Sequence, residues 1–318
     1  HSREIQPRVN YRPPRVRWER NVCSENAKNS LLICFRVAFQ ETPRVSVDMK
    51  FSLLKNRLPV RYFLNLAIIT YLSLAQVWAV SPDVKQVTVL ITSDLHGWMS
   101  TALVYPERKR TGLLHIKDGI LQIRLNDPDA ILLDAGDLLQ GSPLSAYFHQ
   151  HRSNPGEVDP FFRLFQQLKY DAVAVGNHDL GINPLFETSY LPISNFSWLA
   201  ANVTTESRSV IKPYILLKRY GLRIAVLGFT TPGAQMWLGK QQLAGYQFHP
   251  IKESAAFWLK RLRQQEEPDL IIGLIHSGLY PVRDNENSKI NRVAAANDVM
   301  NTMQNVNGFA LVVAGHDP

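Results

Sequence analysis

Two regimes of hydrophobic patterning meet near residue 80 of the chain. Downstream, short apolar runs alternate with stretches whose apolar positions recur at helical spacing. The runs over 87–92, 130–133, 172–175, 222–229, 270–275 and 309–314 read as strands, that over 130–133 as a buried one. Between them, 113–125 sets Lys117, Asp118 and Arg124 opposite an apolar face. Residues 160–168 gather Phe161, Phe162, Leu164, Phe165 and Leu168 on one wide face, a spacing that predicts core packing. An amphipathic helix is predicted over 251–265 and another near 291–306. Strand–helix alternation of this kind predicts an α/β layered fold over 80–318.

Upstream the pattern is different. Residues 1–48 show no helical or strand period and read as an unpatterned leader. Met49 is followed by Lys50, Lys55, Arg57 and Arg61, then by the uncharged run from Tyr62 to Trp78, closing on Val77-Trp78-Ala79. Basic, apolar, small is the order of a secretory signal peptide over 49–79. The run is about 17 residues, at the lower bound for crossing a bilayer, which favours a cleaved signal over an anchor. If Met49 is the true start, 1–48 is upstream sequence translated in frame, and the mature chain loses both cysteines, Cys23 and Cys34. A periplasmic or secreted location follows as an expectation.

Charge sharpens the division. The chain carries a net +8, and residues 1–79 hold 13 Lys/Arg against 5 Asp/Glu, so the body is neutral. A nucleic-acid polymer as partner would need that excess on the body. Two cysteines exclude a disulfide scaffold and a cysteine-rich zinc module.

The strand ends carry the chemistry. They read Asp94-Leu95-His96, Gly136-Asp137, Gly176-Asn177-His178-Asp179, His276-Ser277-Gly278 and Gly315-His316. Catalytic groups of α/β folds gather at the carboxyl ends of strands. Four histidines there, with Asp94, Asp137 and Asn177, form a mixed imidazole and carboxylate set suited to Zn, Mn or Fe. Asp94 and His96, at i and i+2, share one face of an extended segment and can bind one ion. A lone Asp137 between histidine-rich clusters can bridge two. Taken singly, Asp137 and Asn177 also fit turn positions, and Gln140 and Ser142 fit a helix start. Trp237 lines the site or packs a loop.

In order, Asp94-x-His96, Gly136-Asp137-x-x-Gln140-Gly141, Gly176-Asn177-His178-Asp179, His276 and Gly315-His316 resemble the motifs of the calcineurin-like metallophosphoesterases. The segment 136–144 is similar to the 5'-nucleotidase branch. Gly228-Phe229-Thr230-Thr231-Pro232, Trp237 and His276-Ser277-Gly278-Leu279 resemble 2',3'-cyclic-nucleotide 2'-phosphodiesterase/3'-nucleotidases. The resemblance covers about 87–318. It implies two β-sheets flanked by helices and two divalent metal ions, with Asp94 and His96 on the first, Asp137 bridging, and Asn177, His276 and His316 on the second. His178 would contact the phosphate and stabilise the developing charge. The implied reaction is in-line attack on a nucleotide phosphoester by hydroxide formed at the metals.

Three departures stand beside it. The family's second ligand after His316 falls on Pro318, which cannot ligate. The Asp that orients the motif histidine in many 5'-nucleotidases is replaced by Gly181. The base-stacking C-terminal domain that the nucleotidases carry is expected to be absent or truncated here. Two alternatives therefore stay open: a thiosulfohydrolase-like enzyme on the same fold, and an inactive binding or remnant domain.

Overall fold

The computed structural model describes residues 16–21, 33–40, 84–100, 102–105, 108–110, 112–151, 157, 159–205, 211–243, 245–279 and 299–316. The chain divides into two units, His1–Arg17 with Val37–Gln86 and Trp18–Arg36 with Val87–Pro318. In the first, only strand ends are described; the second holds the layered domain.

The strands in chain order are β1 (Val16–Asn21), β2 (Ile33–Gln40), β3 (Val84–Thr92), β4 (Ala102–Tyr105), β5 (Arg108–Arg110), β6 (Ile131–Asp134), β7 (Ala172–Ala174), β8 (Ser197–Leu199), β9 (Val203–Thr205), β10 (Tyr214–Arg219), β11 (Leu222–Thr230), β12 (Tyr246–Phe248), β13 (Leu270–His276) and β14 (Leu311–Gly315). The helices are α1 (Leu113–Asn126), α2 (Pro143–His151), α3 (Pro160–Gln167), α4 (Asn177–Gly181), α5 (Ala234–Trp237), α6 (Lys240–Leu243), α7 (Ile251–Gln265) and α8 (Val299–Asn305).

One sheet runs β1-β2-β3-β6-β7-β8 and the other β10-β11-β13-β14. The pairs β3–β6, β6–β7, β7–β8, β11–β13 and β13–β14 are parallel, and β10–β11 is antiparallel. Parallel central strands are covered on both faces, which is why β6, β7 and β13 are buried at every position. Parallel neighbours also need crossovers, and α1, α3 and α7 lie in those connections.

Helix α3 shows how local chemistry sets a boundary. Asp159 Oδ1 accepts the Phe161 N–H at 2.8 Å and Pro160 fills the first turn. Phe161, Phe162 and Phe165 are then fully buried beside the first sheet. Each is worth about 1.5–3 kcal/mol relative to exposure. On the second sheet, Ile251, Ala255, Leu259 and Leu262 of α7 pack against Ala225, Leu227, Ile271 and Ile275.

The sheets are tied together near their carboxyl ends. Asn202 Oδ1 accepts the Thr230 N–H at 2.9 Å while its Nδ2 donates to Thr230 O at 2.8 Å, and Thr230 Oγ1 donates to Val175 O. Strand ends from both sheets thereby face one region.

Within residues 1–48, read above as an unpatterned leader, the described residues form β1 and β2. In β2, Ile33, Phe35, Val37 and Phe39 alternate with Cys34, Arg36 and Ala38, a period of two. The segment read as a signal peptide, 49–79, lies outside the described residues, as does Pro318. The helix expected near 291–306 is described as α8, with 280–298 also outside. Among the described residues, no helix is long and apolar enough to cross a membrane.

Candidate metal centre

The turn after β3 and the turn after β6 run side by side. Asp94 N–H donates to Gly136 O at 3.0 Å, His96 N–H to Asp137 O at 2.9 Å and Gly97 N–H to Leu138 O at 2.8 Å. Asp94, His96, Asp137 and His316 have φ of 53°, 49°, 56° and 90°. A left-handed backbone costs a non-glycine residue about 1–3 kcal/mol and persists where surrounding structure over-determines it. Four of the six expected ligands carry that strain. Gly136 must be glycine on two counts: its φ is 100°, and a Cβ there would stand 2.6 Å from His276 Nδ1.

All six expected ligands converge. Asp94, His96 and Asp137 offer ligand atoms within 4.8 Å of one another, and so do Asp137, His276 and His316. Asp137 belongs to both groups. Asn177 joins the second through Oδ1, 3.2 Å from His276 Nε2. His276 Nε2 is also 3.2 Å from Asp137 Oδ2 and 3.3 Å from His316 Nδ1. His96 Nε2 stands 4.0 Å from both Asp94 Oδ1 and Asp137 Oδ2.

The tautomers decide whether a cation fits. A carbonyl only accepts, so His96 Nδ1–H donates to Gln140 O at 2.7 Å and His276 Nδ1–H donates to Ala135 O at 2.8 Å. Both Nε2 lone pairs then point inward, among carboxylate and amide oxygens. Several acceptors facing one another require a cation or a proton between them, and a histidine oriented by its other ring nitrogen is the usual metal-binding arrangement. Without metal, a proton takes that place. Burial pulls the His276 imidazole down, but the Asp137 charge and hydrogen bond, Asp94 and the Ala135 carbonyl outweigh it and hold it at about 9. Burial pushes Asp137 up, yet His276, His178 and His96 bring it below the ordinary carboxylate range. His96 is lowered, chiefly by burial. The donor set fits two divalent ions sharing Asp137.

His178 lies beside the donor groups without belonging to either of them. Its side chain is exposed, with its ring centroid 5.1 Å from that of His96. Its N–H donates to Asp137 Oδ1 at 2.8 Å, fixing the turn beside the shared carboxylate. A cavity of about 390 Å³ opens here, lined by Gln140, Asn177, His178, Gly181, Trp237, Leu238, Gln242 and His316. Gly181 lines this cavity where the orienting Asp of many 5'-nucleotidases is expected.

Two buried carboxylates were missed as supports of the site. Asp179 Oδ1 accepts the N–H groups of Leu138 and Leu139 at 2.9 and 2.8 Å, and its Oδ2 accepts that of Gly176 at 2.9 Å. It therefore joins the turn behind Asp137 to the turn before Asn177. Burial, then the Asp137 charge, raise it to about 7. Asp134 Oδ1 accepts the Gly136 N–H at 2.9 Å and its Oδ2 accepts the Thr92 hydroxyl at 2.5 Å. An acidic residue ending the apolar run Ile131-Leu132-Leu133 was the available signal. Ser142 does start a helix: its Oγ accepts the Ser145 N–H at 3.0 Å in α2.

Parallel strands delivering histidine and carboxylate donors to a shared carboxylate define a layered α/β domain with two candidate cation-binding donor groups. The chain belongs to the calcineurin-like phosphoesterase family, whose model matches residues 87–318. It is similar to a 2',3'-cyclic-nucleotide 2'-phosphodiesterase/3'-nucleotidase of Yersinia enterocolitica, 29% identical over 205 residues, covering 60% of this chain and 31% of that protein. It is likewise similar to a 5'-nucleotidase of Vibrio cholerae, 30% identical over 213 residues, covering 65% of this chain and 36% of that protein. The calcineurin-like phosphoesterase YfkN from Bacillus subtilis superposes with a TM-score of 0.60 at 25% identity, covering 72% of this chain and 71% of that one. The chain thus spans about a third of the length of these two curated relatives.

Proposed function

We propose that the chain hydrolyses nucleotide phosphoesters as a two-metal phosphoesterase of the 5'-nucleotidase or 2',3'-cyclic-nucleotide 2'-phosphodiesterase/3'-nucleotidase type. The observation that carries this reading is Asp137, shared by two donor groups at a cavity where His178 is exposed. Two divalent ions, Mn, Zn or similar, would supply charge against the phosphoryl oxygens and lower the pKa of a water. Asp94, His96 and Asp137 would hold one, and Asp137, Asn177, His276 and His316 the other. Asp137 would be common to both, and the carbonyls of Gln140 and Ala135 keep His96 and His276 facing inward. His178 donates a hydrogen bond to the phosphoryl group, where charge develops as the ester bond breaks. The basic, apolar, small order of residues 50–79 supports an exported protein, periplasmic or secreted.

The test is hydrolysis of 5'-AMP, 3'-AMP, UDP-glucose and 2',3'-cyclic AMP with added Mn²⁺ or Zn²⁺. Metal-dependent turnover that disappears in Asp137→Ala is the expected result. His178→Ala should retain bound metal and lose about 10²–10³-fold in kcat, the usual effect of removing one such donor. A folded, metal-loaded chain inert on all four esters sinks the reading.

A further inference from the structure

Part of the cavity wall beside the donor cluster is built by a segment that the proposed phosphoryl chemistry does not use. After β11, Thr231 Oγ1 accepts the Gly233 N–H at 3.1 Å, and the Trp237 N–H donates to Gly233 O at 3.3 Å. This turn sets the Trp237 indole nearly parallel to the His316 imidazole, centroids 5.4 Å and planes 14° apart. Trp237 remains 41% exposed, so core packing does not account for a large aromatic ring at this place. Behind it, the Gly239 N–H donates to Gln242 Oε1 at 2.8 Å and Gln242 Nε2 donates to Gly181 O at 2.5 Å. Asn183 Nδ2 donates to Gln242 O at 2.8 Å. These bonds fasten the wall to the segment that carries Asn177 and His178. The indole is therefore held at a fixed place relative to the donors.

The composition of the cavity selects its occupant. Leu238 and Gln140 line the same cavity as Trp237, with Leu238 Cδ2 and Gln140 Oε1 both beside Gly181, and no Lys or Arg lines the cavity among the described residues. An anionic group would find its partners at the metal cluster, not on this wall. A flat neutral heterocycle finds a π-face, an apolar edge and an amide. We propose that Trp237, Leu238 and Gln140 form a subsite for the nucleobase of the substrate, so that base recognition begins within the catalytic domain itself. The inference rests on the nucleotide reading of the same site.

The test is calorimetric titration of the chelator-treated chain with adenosine, with ribose as control, in wild type, Trp237→Ala and Trp237→Phe. Stacking of a base on an aromatic side chain is worth about 1–3 kcal/mol, roughly 5–150-fold in affinity. Adenosine should bind wild type, bind Trp237→Ala at least about fivefold more weakly, and recover part of that loss in Trp237→Phe. Ribose should give no heat. A melting curve of Trp237→Ala matching wild type establishes that the variant is folded. No adenosine binding, equal affinity in wild type and Trp237→Ala, or ribose binding as tightly as adenosine overturns the proposal. The titration contains neither metal nor phosphoester. Adenosine binding through Trp237 in a chain inert on phosphoesters would thus sink the proposed reaction alone, and turnover without Trp237-dependent binding would sink this subsite alone.

Discussion

At the scale of single residues, the site depends on side chains that hold backbone and touch no ligand. Asp134 is fully buried, and its two oxygens join the ends of the strands that launch Asp94 and Asp137. Asp134→Ala leaves the Gly136 N–H and the Thr92 hydroxyl without this acceptor, a loss on the order of 1–3 kcal/mol per group. Urea unfolding should show that loss, and metal affinity should fall with it, because Gly136 sets the turn of Asp137. Asp134 also has a pH signature. Burial raises its folded-state pKa well above the ordinary carboxylate value. The folded chain keeps a proton that the unfolded chain releases near about pH 4, so the stability linked to it is complete below that pH and declines as pH rises toward the folded value. Asp134→Asn cannot titrate. In chelator, its stability relative to wild type should therefore climb as pH rises from about 4, and a flat difference would refute the assignment.

At the scale of elements, the two sheets separate structural from chemical failure. Helix α7 packs Leu259 on the second sheet, in a cluster that contains none of the expected ligands. Leu259→Ala should lose about 2–5 kcal/mol of stability, measured by thermal unfolding, with bound metal unchanged in the folded fraction. Gly176 precedes α4, and a Cβ there would fall onto Asp137 Oδ1. Gly176→Ala should displace the shared carboxylate, abolishing stoichiometric metal while the core of the fold survives; metal retained at wild-type stoichiometry would contradict this placement. The same contrast explains what was legible beforehand. Strands such as β13 announce themselves as unbroken apolar runs, and α7 by its spacing, because burial is written in residue type. The six donors were legible because they sit directly after such runs. The supporting roles of Asp134 and Asp179 were not, because three of the groups they hold beside the site are backbone N–H groups of Leu138, Leu139 and Gly176 and a fourth is that of Gly136, and such partners leave no mark on the sequence. The edge strand β10 was missed for another reason: its apolar run is only Tyr214-Ile215-Leu216-Leu217, ends in the charged Lys218 and Arg219, and is half-buried with no alternation.

At the scale of the whole molecule, the donor cluster links metal, proton and stability, since His276 comes from one sheet and Asp137 from the other. In the metal-free chain, burial lowers the His276 pKa, but Asp137, Asp94 and the Ala135 carbonyl together raise it to about 9. A histidine with a raised folded pKa contributes its full stability below the unfolded value of about 6.5 and loses it as pH rises through the folded value. The chain in chelator should thus lose melting temperature between about pH 6.5 and pH 9. Divalent ions bind the deprotonated imidazole and occupy the place of that proton, so their affinity rises over the same interval. Ligand binding to the native state alone adds about 2.7 kcal/mol at a hundredfold excess over Kd. The stabilisation conferred by a fixed Mn²⁺ concentration should therefore grow from about pH 6.5 to about pH 9, read as the difference between melting temperatures with Mn²⁺ and with chelator. In His276→Asn the growth over this interval should shrink, because the proton with which the metal competes is gone. A Mn²⁺ effect largest at low pH, or one unchanged by His276→Asn, would mean that metal and proton do not compete at this cluster.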